Sequence, residues 1–327
     1  MVKFDTATSN FWVPDISACN TNTNCPSYCV DSNFCTFLCD TSCCSSPKDG
    51  CPTYLFNSTK SSTYVSTEKN ITVGAMQCIL GEDIVRFGNF GSLQLIIPKT
   101  QFAQAPINTD FWNDAINGVM GLGFQENADG NVVPPMINAI NKNLLAKPLF
   151  TVYLKKVGLQ QDVIGGVITY GDVDTVHCSS DFSYHPLTST KLFQFQLDSV
   201  SVGNFTSSTK WNVIADTGTS FIGGPKVIIK SIAQQLGGIY NEDYGIYNVD
   251  CNSTIGPLTF TIGGIQYPVE QEQLIIDLDT GNCGLTFFRY ESGGSGPTWI
   301  FGYSWFRSYC SVFNLGQKNI GFAKPIF

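Results

Sequence analysis

A motif of eight residues occurs twice in this chain, and the repeat constrains the fold more than any other feature of the sequence. Residues 2–9 read Val-Lys-Phe-Asp-Thr-Ala-Thr-Ser, and residues 213–220 read Val-Ile-Ala-Asp-Thr-Gly-Thr-Ser. In each copy an apolar, strand-forming stretch leads into Asp-Thr-small-Thr-Ser. A single copy would be typical of an ordinary Asx or Ser/Thr turn after a strand. Two aligned copies predict two related halves, each presenting an aspartate where a strand ends.

A glycine-containing apolar segment follows each copy of the motif. Residues 118–123 read Gly-Val-Met-Gly-Leu-Gly, and residues 300–302 read Ile-Phe-Gly. We expect each segment to form a strand that lies beside its own motif.

The remainder of the sequence is typical of a strand-rich globular protein. Hydrophobic residues make up 43% of the 327 residues, which is enough for a sizeable core. Between residues 64 and 122, short apolar runs alternate with Gly, Asn and Pro, as in antiparallel hairpins. Helical spacing of apolar residues predicts short helices at 134–145 and 226–236. The fold class is therefore all-β with a few short helices, and the length suggests two domains.

Charge and composition exclude several classes of function. The 18 Lys and Arg residues are scattered, and the formal net charge is −8, so no basic stripe is present to bind nucleic acid. No apolar run is long enough to span a membrane. The two histidines are His177 and His185, and no serine lies in a Gly-x-Ser-x-Gly elbow, which argues against a serine-type triad.

The cysteines indicate an oxidising compartment. Of the 13 cysteines, most lie between Cys19 and Cys51, where a zinc cluster and a disulfide-stapled insert are the competing interpretations. The spacings do not repeat a CxxC pair and neither histidine is near, so we expect disulfides and no metal. With the N-glycosylation sequons, this pattern predicts the secretory pathway, with an extracellular or lysosomal destination. The sequons begin at Asn57, Asn70, Asn204 and Asn252.

The two aspartates of the motif, Asp5 and Asp216, suggest acid–base catalysis by a carboxyl pair. Amide hydrolysis requires an activated water and a proton donor for the developing tetrahedral centre. Two carboxyls held close together supply both, because they cannot both ionise comfortably and so share one proton. This chemistry requires no metal and no organic cofactor.

The neighbours of the aspartates have physical roles in this hypothesis. We expect Thr6 and Thr217 to hydrogen-bond to each other and lock the two loops. We expect Thr8 and Thr219 each to donate a hydrogen bond to a carboxylate oxygen. Gly218 would let backbone and substrate approach the carboxylates closely.

These motifs resemble those of the pepsin-like aspartic proteases, peptidase family A1, and the likeness extends over nearly the whole chain. The segments that carry it are residues 4–14, 79–83, 214–220, 299–302 and 320–323. The resemblance implies a bilobal pepsin-like fold, a monomer, and a cleft that holds a peptide or protein substrate. It implies an aspartic endopeptidase that acts at acidic pH.

The resemblance also assigns the parts of the chain. The N-terminal lobe would be residues 1–172, with a cysteine-rich insert at 15–56 typical of one branch of the family. The lobe would also carry a shortened flap, the hairpin that covers the cleft, at about 70–82. Residues 173–327 would form the C-terminal lobe. Trp12 and Val73 would line the substrate cleft, and the implied disulfides are Cys251–Cys283 and Cys178–Cys310.

The sequence departs from the family pattern at several positions. Ala7 replaces a glycine beside Asp5, and the flap lacks the family's tyrosine. Cys78 makes the cysteine count odd, so it is either a free thiol or part of an intermolecular bridge. Tyr303 replaces an aspartate, and the residues that precede the first motif are absent, so we expect a truncated N-terminus or an incomplete gene model.

These departures leave an alternative open. A catalytically silent pepsin-fold glycoprotein that binds peptides or proteins would also carry both motifs. Ala7 and the short flap favour this alternative, whereas the two intact Asp-Thr motifs favour the enzyme.

Overall fold

The computed structural model describes residues 2–16, 55–88, 91, 93–105, 118–158, 160, 163–278, 283–294 and 296–326. The cysteines between residues 19 and 51 lie outside the described residues, and so does most of the predicted insert. The chain divides into two compact units, Met1–Lys142 and Asn143–Phe327.

The first unit is built from six described strands and one α-helix. The strands are β1 Lys3–Asp5, β2 Phe11–Pro14, β3 Val65–Val73, β4 Met76–Phe87, β5 Leu95–Ala105 and β6 Val119–Gly121. The helix is α1 Pro135–Asn141, and the single 3-10 turns are Ser58–Lys60, Gln125–Asn127 and Asp129–Asn131.

The six strands of the first unit form one sheet in the order β1-β6-β2-β5-β4-β3. β1 runs parallel to β6, whereas β2 runs antiparallel to β6 and parallel to β5. The chain therefore leaves β1 at Asp5, turns, and returns on the other side of β6. Phe102 of β5 packs against Phe11 and Phe56 on this sheet, with ring centroids 5.6 and 5.0 Å away. This aromatic contact fixes β2 beside β5.

The described residues of the second unit form eighteen strands and three α-helices. The helices are α2 Lys226–Gln235, α3 Gln271–Leu274 and α4 Tyr303–Ser308. The strands are β7 Leu149–Leu154, β8 Gly166–Tyr170, β9 Ser183–Pro186, β10 Gln194–Leu197, β11 Ser199–Val202, β12 Phe205–Ser207, β13 Trp211–Ala215, β14 Ile222–Pro225, β15 Ile239–Asn241, β16 Ile246–Val249, β17 Leu258–Ile262, β18 Ile265–Val269, β19 Ile275–Asp277, β20 Cys283–Leu285, β21 Phe287–Tyr290, β22 Trp299–Phe301, β23 Cys310–Asn314 and β24 Asn319–Ala323.

These strands form four sheets. A five-stranded sheet has the order β10-β13-β22-β14-β21 and carries the second aspartate motif. Two four-stranded sheets have the orders β12-β11-β17-β18 and β15-β16-β20-β19. A second five-stranded sheet, β8-β7-β23-β24-β9, combines strands from both ends of the unit.

Strands β7 and β8 fall in the second compact unit, which begins at Asn143. β7 and β8 form an antiparallel pair, and β7 also pairs with β23, from Leu149 opposite Asn314 to Val152 opposite Ser311. Because this pairing joins residues more than 150 positions apart, the contacts of β7 and β8 belong to the second unit.

The core of the second unit is aromatic. Trp305 of α4 is fully buried and stacks on Phe301, with ring centroids 4.2 Å apart. Its ring also meets Phe260, Tyr267 and Phe322 at centroid distances of 5.0 to 5.9 Å. Trp305 is therefore a packing residue of this core.

Both predicted helices are present, and each ends earlier than the pattern indicated. α1 covers Pro135–Asn141 of the predicted 134–145. α2 begins at Lys226 as predicted and buries Ile229, Ile232 and Ala233 on one face. It stops because Gly237 takes a positive φ of 73°, and the Gly238 N–H donates to the carbonyl of Ala233.

The two disulfides that the family resemblance implied are present in the second unit. Cys251 is bonded to Cys283 at the start of β20, and Cys178 is bonded to Cys310 at the start of β23. The second bridge closes a loop of 132 residues, so it ties β23 to the segment that precedes β9.

Candidate active site

The first aspartate, Asp5, ends strand β1 and is half-buried. Its carbonyl accepts a hydrogen bond from the Leu122 N–H at 2.8 Å, which holds the end of β1 beside β6. The Ala7 N–H donates to Asp5 Oδ1 at 2.8 Å. The loop after β1 therefore turns back on its own carboxylate and fixes the orientation of one oxygen.

The second aspartate, Asp216, follows strand β13 directly and is 7% exposed. β13 runs parallel to β22, and the Asp216 N–H donates to the Phe301 carbonyl at 2.9 Å. The Gly218 N–H donates to Asp216 Oδ1 at 2.6 Å, and the Thr219 hydroxyl donates to Asp216 Oδ2 at 2.5 Å. Both oxygens of this carboxylate are therefore held.

The sequence repeat is also a repeat of local structure. In each unit an aspartate ends or directly follows a strand that has a parallel neighbour. In each unit the amide two residues later donates to the carboxylate. The later glycine-containing segment forms that parallel neighbour, as we predicted from its position.

The glycines of those neighbouring strands are required by close approach. A Cβ atom added at Gly121 would lie 2.4 Å from the Ser9 carbonyl carbon. A Cβ atom added at Gly302 would lie 2.4 Å from the carbonyl oxygens of Thr219 and Phe221. Larger side chains would therefore push each aspartate loop away from its neighbouring strand.

The threonines of the two motifs differ in their surroundings. Thr6 and Thr217 are both buried. Thr219 makes the predicted bond to a carboxylate oxygen. The hydroxyl of Thr8 is exposed, and within the described residues it donates no hydrogen bond to Asp5. The two threonines at this position of the motif therefore have different contacts.

Ala7 fits the backbone of the first loop without strain. Among the described non-glycine residues, those with a positive φ do not include Ala7, so its methyl group imposes no backbone cost. Its N–H makes the same bond to Asp5 that Gly218 makes to Asp216. Its carbonyl accepts a bond from Asn127 Nδ2 at 3.3 Å. The departure from glycine thus leaves the loop geometry in place.

The flap is the long hairpin of β3 and β4, with Gly74 and Ala75 as its turn. Gly74 has a φ of 57°, the positive value that two-residue hairpin turns need. Val73 lies in a buried cluster with Trp12, together with residues of β4 and β5. The cluster consists of Trp12, Val73, Cys78, Ala103 and Ala105.

Cys78 is a free thiol inside this cluster. It is 2% exposed, and burial raises the pKa of its thiol to about 11. This burial favours the free thiol over the intermolecular bridge that the odd cysteine count also allowed. The inward position of Cys78 follows from the alternation of buried and exposed residues along the first part of β4.

The asparagines of the four sequons are accessible to different extents. Asn70, Asn204 and Asn252 are exposed, whereas Asn57 is half-buried. The Asn57 side chain caps a short 3-10 turn by accepting a bond from the Thr59 N–H. Three of the four asparagines therefore lie at the surface.

Both histidines of the chain take part in contacts of the second unit. His185 is buried, and its Nε2 lies 2.7 Å from the Tyr267 hydroxyl. His177 Nδ1 lies 2.8 Å from Asp174 Oδ2. Across the described residues, no three His, Cys, Asp or Glu side chains come together as metal ligands. Within the same residues, no helix is long and apolar enough to cross a membrane.

Comparisons with known proteins identify the family of this chain. Residues 1–325 match the model of the eukaryotic aspartyl protease family. The chain is 38% identical to aspartic protease 6 of Caenorhabditis elegans, over all of this chain and 78% of that protein. It is 36% identical to aspartic protease 2 of Necator americanus, over 99% of this chain and 79% of that protein. It is 28% identical to mouse gastricsin, over the full chain and 77% of that protein. The chain belongs to the eukaryotic aspartyl protease family, the pepsin-like aspartic endopeptidases.

Proposed function

We propose that Asp5 and Asp216 together form the catalytic pair of this aspartic endopeptidase. The observation that carries the proposal is the shared local geometry of the two loops. Each aspartate ends or follows a strand that has a parallel neighbour, and each carboxylate accepts a bond from the amide two residues later. The same bond also occurs in ordinary Asx turns of this chain, as at Asn57 and Asp174, so it is the combination of this turn with a strand that has a parallel neighbour, in both copies of the motif, that supports the proposal.

The chemistry requires one carboxylate and one carboxylic acid. The carboxylate takes a proton from a water molecule, and the water oxygen attacks the peptide carbonyl carbon. The acid gives its proton to the carbonyl oxygen, so that a tetrahedral gem-diol forms. Proton transfer to the nitrogen then allows the C–N bond to break. Because a close pair titrates as a unit, we assign neither aspartate as the acid.

The loop contacts give each carboxylate a fixed orientation before substrate arrives. The amide bonds from Ala7 and Gly218 hold one oxygen of each aspartate. The second oxygen of Asp216 is held by Thr219. Preorganised donors of this kind contribute to catalysis because they need no rearrangement during the reaction. In this proposal the buried Thr6 and Thr217 support the two loops from within.

A peptide or protein is the substrate that the family implies, and we propose that Trp12 and Val73 contribute to its binding site. Both belong to the buried cluster that joins the flap to β2 and β5. An extended peptide would gain affinity from backbone hydrogen bonds and specificity from alternate side-chain pockets. The comparisons give no support to the silent peptide-binding alternative, since the relatives named above are proteases, and the Asp5 loop keeps its hydrogen bond from Ala7.

The decisive test is cleavage of a denatured protein by the purified chain between about pH 3 and about pH 6, where a carboxyl pair shares one proton. Asp216→Asn and the family inhibitor pepstatin should each abolish cleavage. Asp243→Asn is the matched control, because Asp243 is exposed and only its backbone amide is hydrogen-bonded. Full activity of the Asp216→Asn variant would contradict the proposal.

We also propose that the protein is a monomer that passes through the secretory pathway to an extracellular or lysosomal destination. Two disulfides and three surface sequon asparagines support this route. Expression through a eukaryotic secretory system should give a glycoprotein whose mass falls on treatment with an N-glycosidase. Light scattering should then report one chain per particle. A secreted product without glycans would contradict the glycosylation, and a dimer would contradict the monomeric state.

A further inference from the structure

The tip of the flap is tied to a neighbouring loop of the first unit. The Gly74 N–H, at the turn of the hairpin, donates to Asp129 Oδ2 at 3.2 Å. Asp129 begins the 3-10 turn Asp129–Asn131 and has an exposed side chain. We call this pair the flap-tip contact. It joins two segments that are 55 residues apart in sequence.

The backbone of Asp129 is in turn fixed to the loop that carries Asp5. Asn10 accepts a bond from the Asp129 N–H at 2.8 Å and donates one to the Asp129 carbonyl at 3.1 Å. Asn10 is 6% exposed, so these bonds are sheltered from water. One residue, Asp129, therefore contacts both the Asp5 loop through its backbone and the flap through its side chain.

A second contact supports the same arrangement. Ile71 of β3 packs against Gly130, where an added Cβ atom would lie 3.1 Å from Ile71 Cγ2. Gly130 has a φ of 66°, so its lack of a side chain serves both the turn and the approach of Ile71. The flap therefore meets the loop at residues 129 and 130 by one polar and one apolar contact.

Strand β4 pairs with β5 from Ile79 onward, so the end of the hairpin from Ile71 to Cys78 is two-stranded. A two-stranded ribbon is only marginally stable by itself, so the position of the tip depends on what it touches. We propose that Asp129 is a positioning residue that holds the flap tip at a fixed position relative to the Asp5 loop. This inference rests on the proposed function, because its consequence is a change in the affinity for substrate. In this proposal the flap-tip contact orders a flap that has no aromatic residue between Val65 and Met76.

The consequence is a specific division between binding and chemistry. If the flap is already ordered before substrate binds, substrate binding does not have to include the entropic cost of ordering it. Loss of the contact should therefore weaken substrate binding, while the carboxylates keep their own hydrogen bonds. The KM should rise and kcat should stay close to its original value.

Asp129→Ala is the variant that tests the contact, and Asp129→Asn keeps an oxygen that can accept the Gly74 bond. Glu126→Ala is the matched control, because Glu126 is an exposed carboxylate at the preceding 3-10 turn. Because Asn10 binds only the backbone of Asp129, each variant should fold, and thermal unfolding checks this. We expect KM for a peptide substrate to rise about three- to tenfold in Asp129→Ala, with kcat changed less than about twofold. Asp129→Asn should restore most of the affinity.

Hydrogen exchange gives a readout that is independent of catalysis. The Gly74 amide should exchange about tenfold faster in Asp129→Ala than in the original chain, and Glu126→Ala should leave it unchanged. The measurement is repeated in an Asp216→Asn background. There it reports the contact even if the proposed catalytic pair proves wrong.

Each remaining outcome counts against the proposal. Unchanged exchange at Gly74 would show that Asp129 does not hold the tip. Faster exchange with an unchanged KM would show that the tip position does not matter to substrate. A fall in kcat at constant KM, or an equal effect of Glu126→Ala, would point to a cause other than flap position.

Discussion

Thr219 donates its hydroxyl hydrogen to Oδ2 of Asp216 at 2.5 Å, whereas the corresponding threonine of the first loop, Thr8, is exposed and makes no such bond within the described residues. The eight-residue motif is therefore equivalent in backbone and unequal in side chains. This inequality distinguishes two residues that the sequence presents as a pair, and it leads to the first prediction.

Thr219→Val should reduce kcat about tenfold to a hundredfold, because it removes a hydrogen bond to a buried carboxylate, which is worth about 1.5 to 3 kcal/mol. Thr219→Ser retains the hydroxyl and should keep most of the activity. Thr8→Val is the internal comparison, and we expect less than about a threefold effect on kcat. Steady-state kinetics on one peptide substrate measures all three. Equal losses at residues 8 and 219 would contradict the inequality.

Ala7→Gly should raise kcat by up to about tenfold while KM changes little. The Ala7 amide already bonds Asp5 as Gly218 bonds Asp216, so the added methyl is the main difference between the two loops at this position. We expect that methyl to occupy space that the attacking water needs. The reciprocal variant, Gly218→Ala, should lower kcat. If both variants leave kcat unchanged, the methyl does not restrict the site.

His185 should make the second unit less stable in weak acid. Burial lowers the pKa of His185, and the nearby Asp198 opposes this only in part. Because the folded-state pKa lies below the unfolded-state pKa of about 6.5, the unfolded chain takes up the proton first. The stability contribution of neutral His185 is therefore complete above about pH 6.5 and is lost as the pH falls through the folded-state pKa.

The substitution that checks this is His185→Gln, whose amide remains neutral and can still bond to Tyr267. The free energy of unfolding, measured in urea between about pH 7 and about pH 5, should depend less on pH in the variant than in the original chain. Identical pH dependence in the two proteins would show that His185 is not the group responsible.

Cys78 should be unreactive in the folded protein. With a thiol pKa of about 11 and 2% exposure, roughly one thiol in a thousand would be ionised at pH 8 even without the barrier of burial. Iodoacetamide labelling, followed by mass spectrometry of the peptide that contains Cys78, should therefore proceed at least about a hundredfold faster in urea than in buffer. Rapid labelling of the folded chain would contradict the buried position.

Much of the candidate site could be predicted from the sequence because its signals are local. An aspartate at the end of a strand followed by Thr-small-Thr-Ser is a short-range pattern, and its repetition is enough to single out Asp5 and Asp216. Residues 121 and 302 are glycines because the aspartate loop lies too close to leave room for a Cβ atom. This requirement is visible in the sequence as the glycine-containing segment that follows each motif. The helix at Lys226–Gln235 followed from apolar spacing and a terminal glycine pair for the same reason.

Other features required the tertiary structure because they depend on pairing between distant residues. Strand β7 belongs to the second unit because it pairs with β23, and no local pattern reveals that pairing. The link from Asn10 through Asp129 to Gly74 joins three separate segments, and no local pattern predicts that they meet.

The sequence by itself was therefore enough to predict the family, the all-β class and the two candidate aspartates. Each of these depends on residues that are neighbours in the chain, where a strand, a turn and a carboxylate follow one another. Only the tertiary structure decided that Thr219 bonds to a carboxylate and Thr8 does not, that the flap residue Cys78 is buried, and that Asp129 contacts the flap tip. The physical reason is that burial and hydrogen-bond partners are set by which distant strands and loops pack together.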